Sequence, residues 1–354
     1  MDIPQIITIK DIAEKAGVSI GTVDRVVHDR GRVSEETAKK VRAIIEELGY
    51  KPNMFASRLS RSKIYQFGVL VPKREQDSHY WETSLLGVEK AAEELGHYGI
   101  QVKYFFFDRY ASESAFFQVV DEMLASRIDG LLIAPVAHDP VVKLIKKIKK
   151  HIPFVFMNTM LPEFQPVSFI GQDSYQSGVV CGKLMQILLR NQGTVAVILP
   201  VPNDMHIRRR ADGFRLQFKH DQMVSIKEYE TDNFEDKNSC QMLLEHVFAD
   251  SPDLQGIFVT NVCTHYVASF IQNHQQYGKK VSLIGYDLIQ ENIDFLKVNM
   301  IDFLISQKPE RQGYEGIYTL YRTVVLKEKC PKNILMPIDI ITKENVSYYI
   351  SNKF

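Results

Sequence analysis

The apolar positions of this 354-residue chain follow two rhythms. Between residues 8 and 49, Ile12, Ala13, Ala16, Val18, Val23, Val26, Val27, Val41, Ile44, Ile45 and Leu48 recur at the spacing of one helix face. Caps and breakers predict three short helices. The first, 10–16, follows Thr8 and ends at Gly17. The second, 20 to about 28, follows Ser19. The third starts after Ser34, carries Glu35 and Glu36 in its first turn, and runs to 48 before Gly49. Two helices joined by a tight Gly-containing turn form a helix-turn-helix. After Pro52, the stretch 53–60 has room for one or two helical turns, too few to be stable alone. From residue 64 the rhythm changes to compact apolar runs alternating with longer amphipathic stretches. Strands are expected at 66–71, 100–106, 130–134, 154–157, 167–170, 194–199, 225–229, 256–259, 281–284, 301–305 and 337–341. Such alternation implies parallel sheets, and the strands are too many for one comfortable sheet, so two similar α/β lobes are expected.

Composition changes the picture little. A hydrophobic content of 45% and a charged content of 24% are those of an ordinary globular protein, which excludes wholesale disorder and a disulfide-stapled mini-fold. No apolar run approaches the ~18–20 residues of a membrane span. Met1-Asp2-Ile3-Pro4-Gln5 lacks the basic and apolar regions of an export signal. Cys181, Cys240, Cys263 and Cys330 are far apart, as reduced cytoplasmic thiols would be. Charge is more informative. Lys+Arg and Asp+Glu both number 43, and zero net charge taken alone argues against a nucleic-acid partner. Yet residues 1–63 carry +3 and the remainder −3, and 51–63 holds four bases and no acid.

The N-terminal residues decide between these signals. Thr8-Ile9-Lys10-Asp11-Ile12-Ala13-Glu14-Lys15-Ala16-Gly17-Val18-Ser19, Thr22-Val23-Asp24-Arg25-Val26, Arg32-Val33-Ser34-Glu35-Glu36-Thr37 and Glu47-Leu48-Gly49-Tyr50-Lys51-Pro52-Asn53 resemble the headpiece of the LacI/GalR repressor family almost without gaps. The resemblance implies that the second helix enters the major groove of double-stranded operator DNA and that a homodimer, or a dimer of dimers, reads two half-sites. It places Ile20, Gly21 and Arg25 at base-reading positions. Arg25 suits a bidentate guanine contact, Ile20 a thymine methyl, and Gly21 reads nothing. Thr8, Ser19, Thr22, Ser34, Tyr50 and Asn53 fall at phosphate-contacting positions, and Arg32 at a further groove contact. Ser19 also serves as an ordinary helix cap. Asp24 departs from the Ser common in the family. Asn53-Met54-Phe55-Ala56-Ser57-Arg58-Leu59 resembles the family's hinge helix, with Leu59 as the minor-groove wedge.

Beyond residue 64 the chain resembles the type I periplasmic sugar-binding fold that this family carries as its effector domain. The carriers are Gly171-Gln172-Asp173-Ser174-Tyr175-Gln176-Ser177-Gly178, Arg210-Ala211-Asp212-Gly213-Phe214, Ile284-Gly285-Tyr286-Asp287 and Ser306-Gln307-Lys308-Pro309-Glu310-Arg311-Gln312-Gly313-Tyr314. The implied fold class is α/β: an all-α headpiece (1–52), a hinge helix or linker (53–63), and two Rossmann-like lobes in 64–354, approximately 64–164 plus 290–330 and 165–289 plus 331–354. The resemblance puts a small carbohydrate effector between the lobes, held by Asn158, Arg210, Asn261, Asp287 and Gln307, with Tyr80, Trp81 and Phe234 against its apolar face. Asn158 stands where many relatives have Asp, and Val262 where they have Asp. If Lys73, Arg74 and His138 also faced the cleft, an acidic or phosphorylated sugar would fit.

The expected function is that of a cytoplasmic transcriptional regulator, a repressor, whose operator affinity responds to a sugar. A sugar-binding protein without a regulatory role, such as a transport component, is the alternative. No enzyme, cofactor or metal site is expected. Gly178-Val179-Val180-Cys181-Gly182-Lys183 has the outline of a phosphate loop but is one residue short, and Leu184 replaces the required hydroxyl. It reads as a helix interior with small packing residues.

Overall fold

The computed structural model describes residues 9–27, 33–48, 63–148, 152–189, 192–219, 223–274 and 281–351. The chain divides after Lys63 into two units. In the first, helices α1 (Ile9–Ala16), α2 (Ile20–Val27) and α3 (Glu35–Glu47) bury Ile12, Ala13, Ala16, Val23, Val26, Val41 and Ile44 in one small core. Gly17 turns the chain between α1 and α2 at φ +67°, a conformation that favours glycine. Ser34 Oγ caps α3 by accepting from the Thr37 N–H at 3.3 Å, and Lys15 Nζ reaches Glu47 at 2.8 Å to tie α1 to α3. Thr8, Arg32, Tyr50, Asn53, Leu59 and residues 53–62 of the expected hinge lie outside the described residues, as does the side chain of Asp24.

The second unit opens with β1 (Tyr65–Pro72), α4 (Tyr80–Gly96), β2 (Ile100–Phe107), α5 (Glu113–Ala125), β3 (Gly130–Ile133), α6 (His138–Ile148), β4 (Phe154–Met157) and β5 (Phe169–Gly171). It crosses to a second lobe through α7 (Ser174–Leu189), β6 (Gly193–Pro200), α8 (Met205–Phe218), β7 (Val224–Thr231) and α9 (Lys237–Asp250). That lobe continues with β8 (Leu254–Val259), α10 (Thr264–Asn273), β9 (Ser282–Tyr286), α11 (Gln290–Lys297) and β10 (Phe303–Ser306). The chain returns to the first lobe as α12 (Pro309–Leu320) and β11 (Asn333–Leu335), then crosses again for β12 (Asp339–Ile341) before α13 (Val346–Ser351). The sheet orders are β11-β5-β4-β3-β1-β2 and β12-β10-β9-β8-β6-β7.

Three details differ from the expectation. β5 pairs with β4, so the first lobe extends past residue 164, and β10 pairs with β9, so residues 290–306 belong to the second lobe. β11, not foreseen, pairs with β5 and keeps 333–335 in the first lobe. β12 runs antiparallel to β10, so the second sheet is not wholly parallel. Lobe membership is fixed by strand partners, which a local pattern does not encode. All three crossings are joined by one side chain: Gln172 Nε2 donates to Ser306 O at 3.0 Å and to Pro337 O at 2.7 Å.

The Gly178–Lys183 stretch is helix interior within α7, as its packing residues suggest. A Cβ at Gly178 would stand 2.0 Å from the Arg210 carbonyl oxygen, and one at Gly213 would stand 2.0 Å from that of Tyr175, so α7 and α8 touch backbone to backbone. This closeness sets the position of Arg210. Gly178→Ala must push the helices apart, and overpacking of this kind costs about 1–3 kcal/mol. A lower midpoint in urea unfolding of the variant, with an unchanged slope, is the expected result.

Candidate functional site

A small cavity of about 20 Å³ lies in the closed cleft between the lobes, lined by residues that follow the carboxyl ends of parallel strands. Asp77, Tyr80 and Trp81 follow β1, Arg109 follows β2 and Asn158 follows β4. From the other lobe, Asp204, His206, Ile207 and Arg210 follow β6, Asn261 and Val262 follow β8, Asp287 follows β9 and Gln307 follows β10. Strand ends point backbone and loops into this crevice, where open α/β sheets bind ligands. Asn158 and Asp287 adopt φ +67° and +70°, a left-handed conformation that Asn and Asp tolerate better than other non-glycine residues.

Two buried networks shape the cavity. In the first, Arg210 Nη1 donates to Thr260 O at 2.7 Å, Nη2 donates to Gln307 Oε1, and the guanidinium lies 3.8 Å over the Tyr286 ring. Gln307 Nε2 donates to Asp287 Oδ2 at 2.7 Å. Asn292 Nδ2 holds the Asp287 loop by donating to the carbonyls of Val262, Tyr286 and Asp287. Arg210 Nε and Asp287 Oδ1 are buried without a hydrogen-bond partner. Burial pushes the Asp287 carboxyl up to about 7, against the pull of Arg210 and Gln307.

The second network joins the lobes. The Arg109 guanidinium, 5% exposed, pairs with Asp77 in its own lobe and with Asp204 Oδ2 across the cleft at 2.9 Å. Trp81 Nε1 donates to Asp77 Oδ2 at 2.6 Å. His206 Nδ1 lies 2.8 Å from both Asp204 Oδ1 and Thr159 Oγ1. Burial opposes the Asp204 charge, but His206 and Arg109 hold the carboxyl below its ordinary value, while burial pushes the His206 imidazole down. Nearby, the Ser78 N–H donates to Glu235 Oε1 of the second lobe at 2.6 Å.

Seven of the eight predicted effector contacts line this cavity: Tyr80, Trp81, Asn158, Arg210, Asn261, Asp287 and Gln307. Phe234 does not. Asn233 Oδ1 accepts from the N–H groups of Glu235 and Asp236, and the resulting turn buries Phe234, 1% exposed, edge-on against Tyr266. Trp81 is both core and wall. Lys73 and Arg74 are committed elsewhere, to Asp108 at 2.9 Å and Glu89 at 2.6 Å. His138 lies between Asp139 and Glu163, and burial does not prevent these carboxylates from raising its pKa. None of these three lines the cavity. Asp77, Arg109, Asp204 and His206 were missed. Their position shortly after strand ends was the available signal, but they carry no periodic pattern.

On the headpiece, Ser19, Ile20, Gly21 and Arg25 are exposed and Thr22 is half-buried. Ser19 Oγ accepts from the Thr22 N–H at 3.2 Å, so the cap is formed. Ile20 is 54% exposed at the start of α2, an apolar group turned outward from a core this small cannot spare. Ser34 Oγ is engaged with Thr37.

A family model described as a periplasmic binding protein domain matches residues 67–328, and one described as bacterial regulatory proteins, lacI family, matches residues 8–53. The HTH-type transcriptional regulator MalR of Streptococcus pneumoniae is 25% identical over 308 residues, covering 84% of this chain and 89% of that protein. The ribose operon repressor of Escherichia coli is 26% identical over 292 residues, covering 80% and 83%. Among solved structures, a solute binding protein of an ABC transporter from Burkholderia graminis, in complex with D-arabinose, superposes with a TM-score of 0.73 at 20% identity, over 81% of this chain and 98% of that one. That last likeness establishes the fold.

Proposed function

Since the chain belongs to the periplasmic binding protein domain family and carries a lacI-family DNA-binding headpiece, we propose that the cavity between its lobes takes an uncharged sugar and that sugar occupancy sets operator affinity. The chain is a DNA-binding transcriptional regulator, and its relatives over most of its length are regulators rather than enzymes. A sugar-binding protein with no regulatory role leaves the 8–53 match without a purpose.

The observation that carries the effector reading is the pair of buried, partnerless atoms, Asp287 Oδ1 and Arg210 Nε, on two cavity-lining residues. An acceptor beside a donor is the complement of sugar hydroxyls, which do both. Tyr80 and Trp81 offer faces for the ring's C–H surface. Charge argues for an uncharged ligand. Asp77, Asp204 and Asp287 outnumber Arg109 and Arg210 in the lining, and Arg109 already bridges two of those carboxylates. The acidic or phosphorylated sugar that Lys73, Arg74 and His138 would have favoured loses its cations.

In this reading Arg25 and Ile20 read base edges, Ser19, Thr22 and Ser34 meet phosphates, and two copies present two α2 helices to two half-sites. Linkage requires that the sugar bind one lobe arrangement better than another. A thermal-shift and calorimetric screen of the full chain against neutral monosaccharides, sugar acids and sugar phosphates tests it. A neutral sugar should give the largest shift. A preference for an acid or a phosphate, or no response to any sugar, contradicts it.

pH gives a further expected outcome. In the ligand-free protein the Asp287 carboxyl titrates near 7 rather than at 3.8, so its charge disfavours the fold as pH rises through that window. Sugar hydroxyls donating to Oδ1 favour the carboxylate, so binding releases a proton at pH 6. Affinity should rise between about pH 5.5 and 7.5, by at most about tenfold per unit, then level off. Calorimetry in buffers of different ionisation enthalpy detects the proton, and Asp287→Asn should flatten the profile.

A further inference from the structure

The loop between β1 and α4 holds the one run of three consecutive left-handed residues among the described residues. Asp77, Ser78 and His79 adopt φ +51°, +51° and +64° in succession. Asp and His enter this region singly, but a run of three residues other than glycine makes a left-handed turn that L-residues disfavour at every step. Such a turn persists only where its surroundings hold it. Here much of the hold comes from the other lobe. The Ser78 N–H donates to Glu235 Oε1 at 2.6 Å, and the Asp77 N–H also favours the Glu235 carboxylate. Tyr110 Oη donates to Glu235 Oε2 at 3.4 Å. Asp204, also of the second lobe, reaches the turn through Arg109 and Asp77. Glu235 is itself fixed ahead of α9, its N–H donating to Asn233 Oδ1 at 3.0 Å. The turn leads directly into the wall of the cleft. The Tyr80 N–H donates to Asp77 O at 3.0 Å, the Trp81 indole N–H donates to Asp77 Oδ2 at 2.6 Å, and the two rings meet edge to face with centres 5.0 Å apart.

We propose that Glu235 is a positioning residue for the cleft: from the second lobe it holds the 77–79 turn in its left-handed form, and through that turn it sets Tyr80 and Trp81. The aromatic wall is then complete only while the lobes meet. When they part, Glu235 and Asp204 leave together, and the turn loses the groups that offset its backbone cost. The relaxed turn carries Asp77 away from the Trp81 indole. The strained turn therefore opposes closure and Glu235 favours it, which leaves the two lobe arrangements near balance. A two-state element near balance is one that a ligand of modest differential affinity can shift. The cleft's role as the effector site gives this wall its regulatory meaning, but the wall is built the same way whatever the ligand, and its formation is measurable with none bound.

Trp81 is the only tryptophan of the chain and is 2% exposed, so its fluorescence reports the wall. Emission and acrylamide quenching are measured on the full chain without ligand, beside circular dichroism as a check of fold. Glu235→Ala should shift the emission to the red and raise quenching while the dichroism spectrum is kept. Glu235→Gln, which retains an oxygen for the Ser78 N–H, should recover most of the wild-type emission. His79 has an exposed side chain. His79→Gly removes one left-handed penalty and favours the formed wall by about fivefold or more. Added to Glu235→Ala, it should return the spectrum toward the wild type, a repair that a merely structural loss at Glu235 would not show. If Glu235→Ala does not fold, two substitutions in the otherwise unchanged chain decide: His79→Val, branched at Cβ and ill-suited to positive φ, should redden the emission, and His79→Gly should not. Wild-type emission in Glu235→Ala overturns the proposal. So does a red shift that neither Glu235→Gln nor His79→Gly reduces, or identical spectra for His79→Val and His79→Gly. These results leave the sugar-effector reading standing. The absence of any sugar binding in calorimetry, with the spectra as expected, defeats that reading alone.

Discussion

Arg109→Ala is expected to weaken effector binding by tenfold or more and to leave the lobes apart. The substitution removes the guanidinium that bridges Asp77 and Asp204, groups 8% and 1% exposed at their side chains. Deleting one partner of a buried ionic group typically costs about 3–5 kcal/mol, because the remaining charges stay desolvated. Here the molecule has a cheaper response than unfolding. Asp77 belongs to the first lobe and Asp204 to the second, so opening the cleft returns both carboxylates to water. The loss should therefore appear as a smaller closed population, which lowers apparent affinity in proportion. Small-angle scattering should give a larger radius of gyration for the variant at a sugar concentration that closes the wild type. Arg109→Lys should recover part of the effect, since one ammonium does not reproduce the fork that meets two carboxylates. Adding Asp77→Asn and Asp204→Asn to an Arg109→Met background should restore closure by removing the unbalanced charge. Wild-type affinity and dimensions in Arg109→Ala would show that the bridge is incidental.

The second large effect is expected at Asp287. A ligand present at about 100 times its Kd stabilises the folded state by about 2.7 kcal/mol. For a unit of this size that corresponds to a rise in Tm on the order of 4–5 °C. Asp287→Ala should abolish the shift. The ligand-free variant should not be markedly less stable, because the carboxyl is held in a site that disfavours its charge, with one oxygen unpartnered. Its main contact, the Gln307 amide at 2.7 Å, is a single hydrogen bond. A variant that retains the full shift would remove Asp287 from the site. A variant that loses it along with most of its own stability would make the residue structural.

What could be read from residues alone, and what could not, divides along physical lines. The headpiece was legible because its information is local: Gly17, Ser19 and Ser34 punctuate helices whose apolar positions close one core. The strands of the lobes were legible for the same reason. β11 was not, being three residues long with two of them exposed. The lobe boundaries were misplaced because β5 and β10 are assigned by partners distant in sequence. In the cavity, the residues carried by Asp287 and Gln307-type motifs were found, whereas Arg109 was not. Its Asp-Arg-Tyr loop has no pattern, and its role appears only when Asp77 and Asp204 are brought to it from two lobes. Phe234 was misjudged because an Asx turn at Asn233, invisible as a contact in the sequence, turns the ring into the core.

The central claim is that the cavity and the headpiece are energetically coupled. It is tested most directly by fluorescence anisotropy of the full chain on a duplex selected from a random-sequence pool, titrated with and without the saturating sugar, for wild type and Asp287→Ala. Coupling free energies of regulatory proteins lie near 1–3 kcal/mol. The sugar should accordingly change wild-type operator affinity by about fivefold or more, and leave Asp287→Ala, which still binds the duplex, unchanged. Identical operator affinity with and without a sugar that demonstrably binds the wild type would contradict the account.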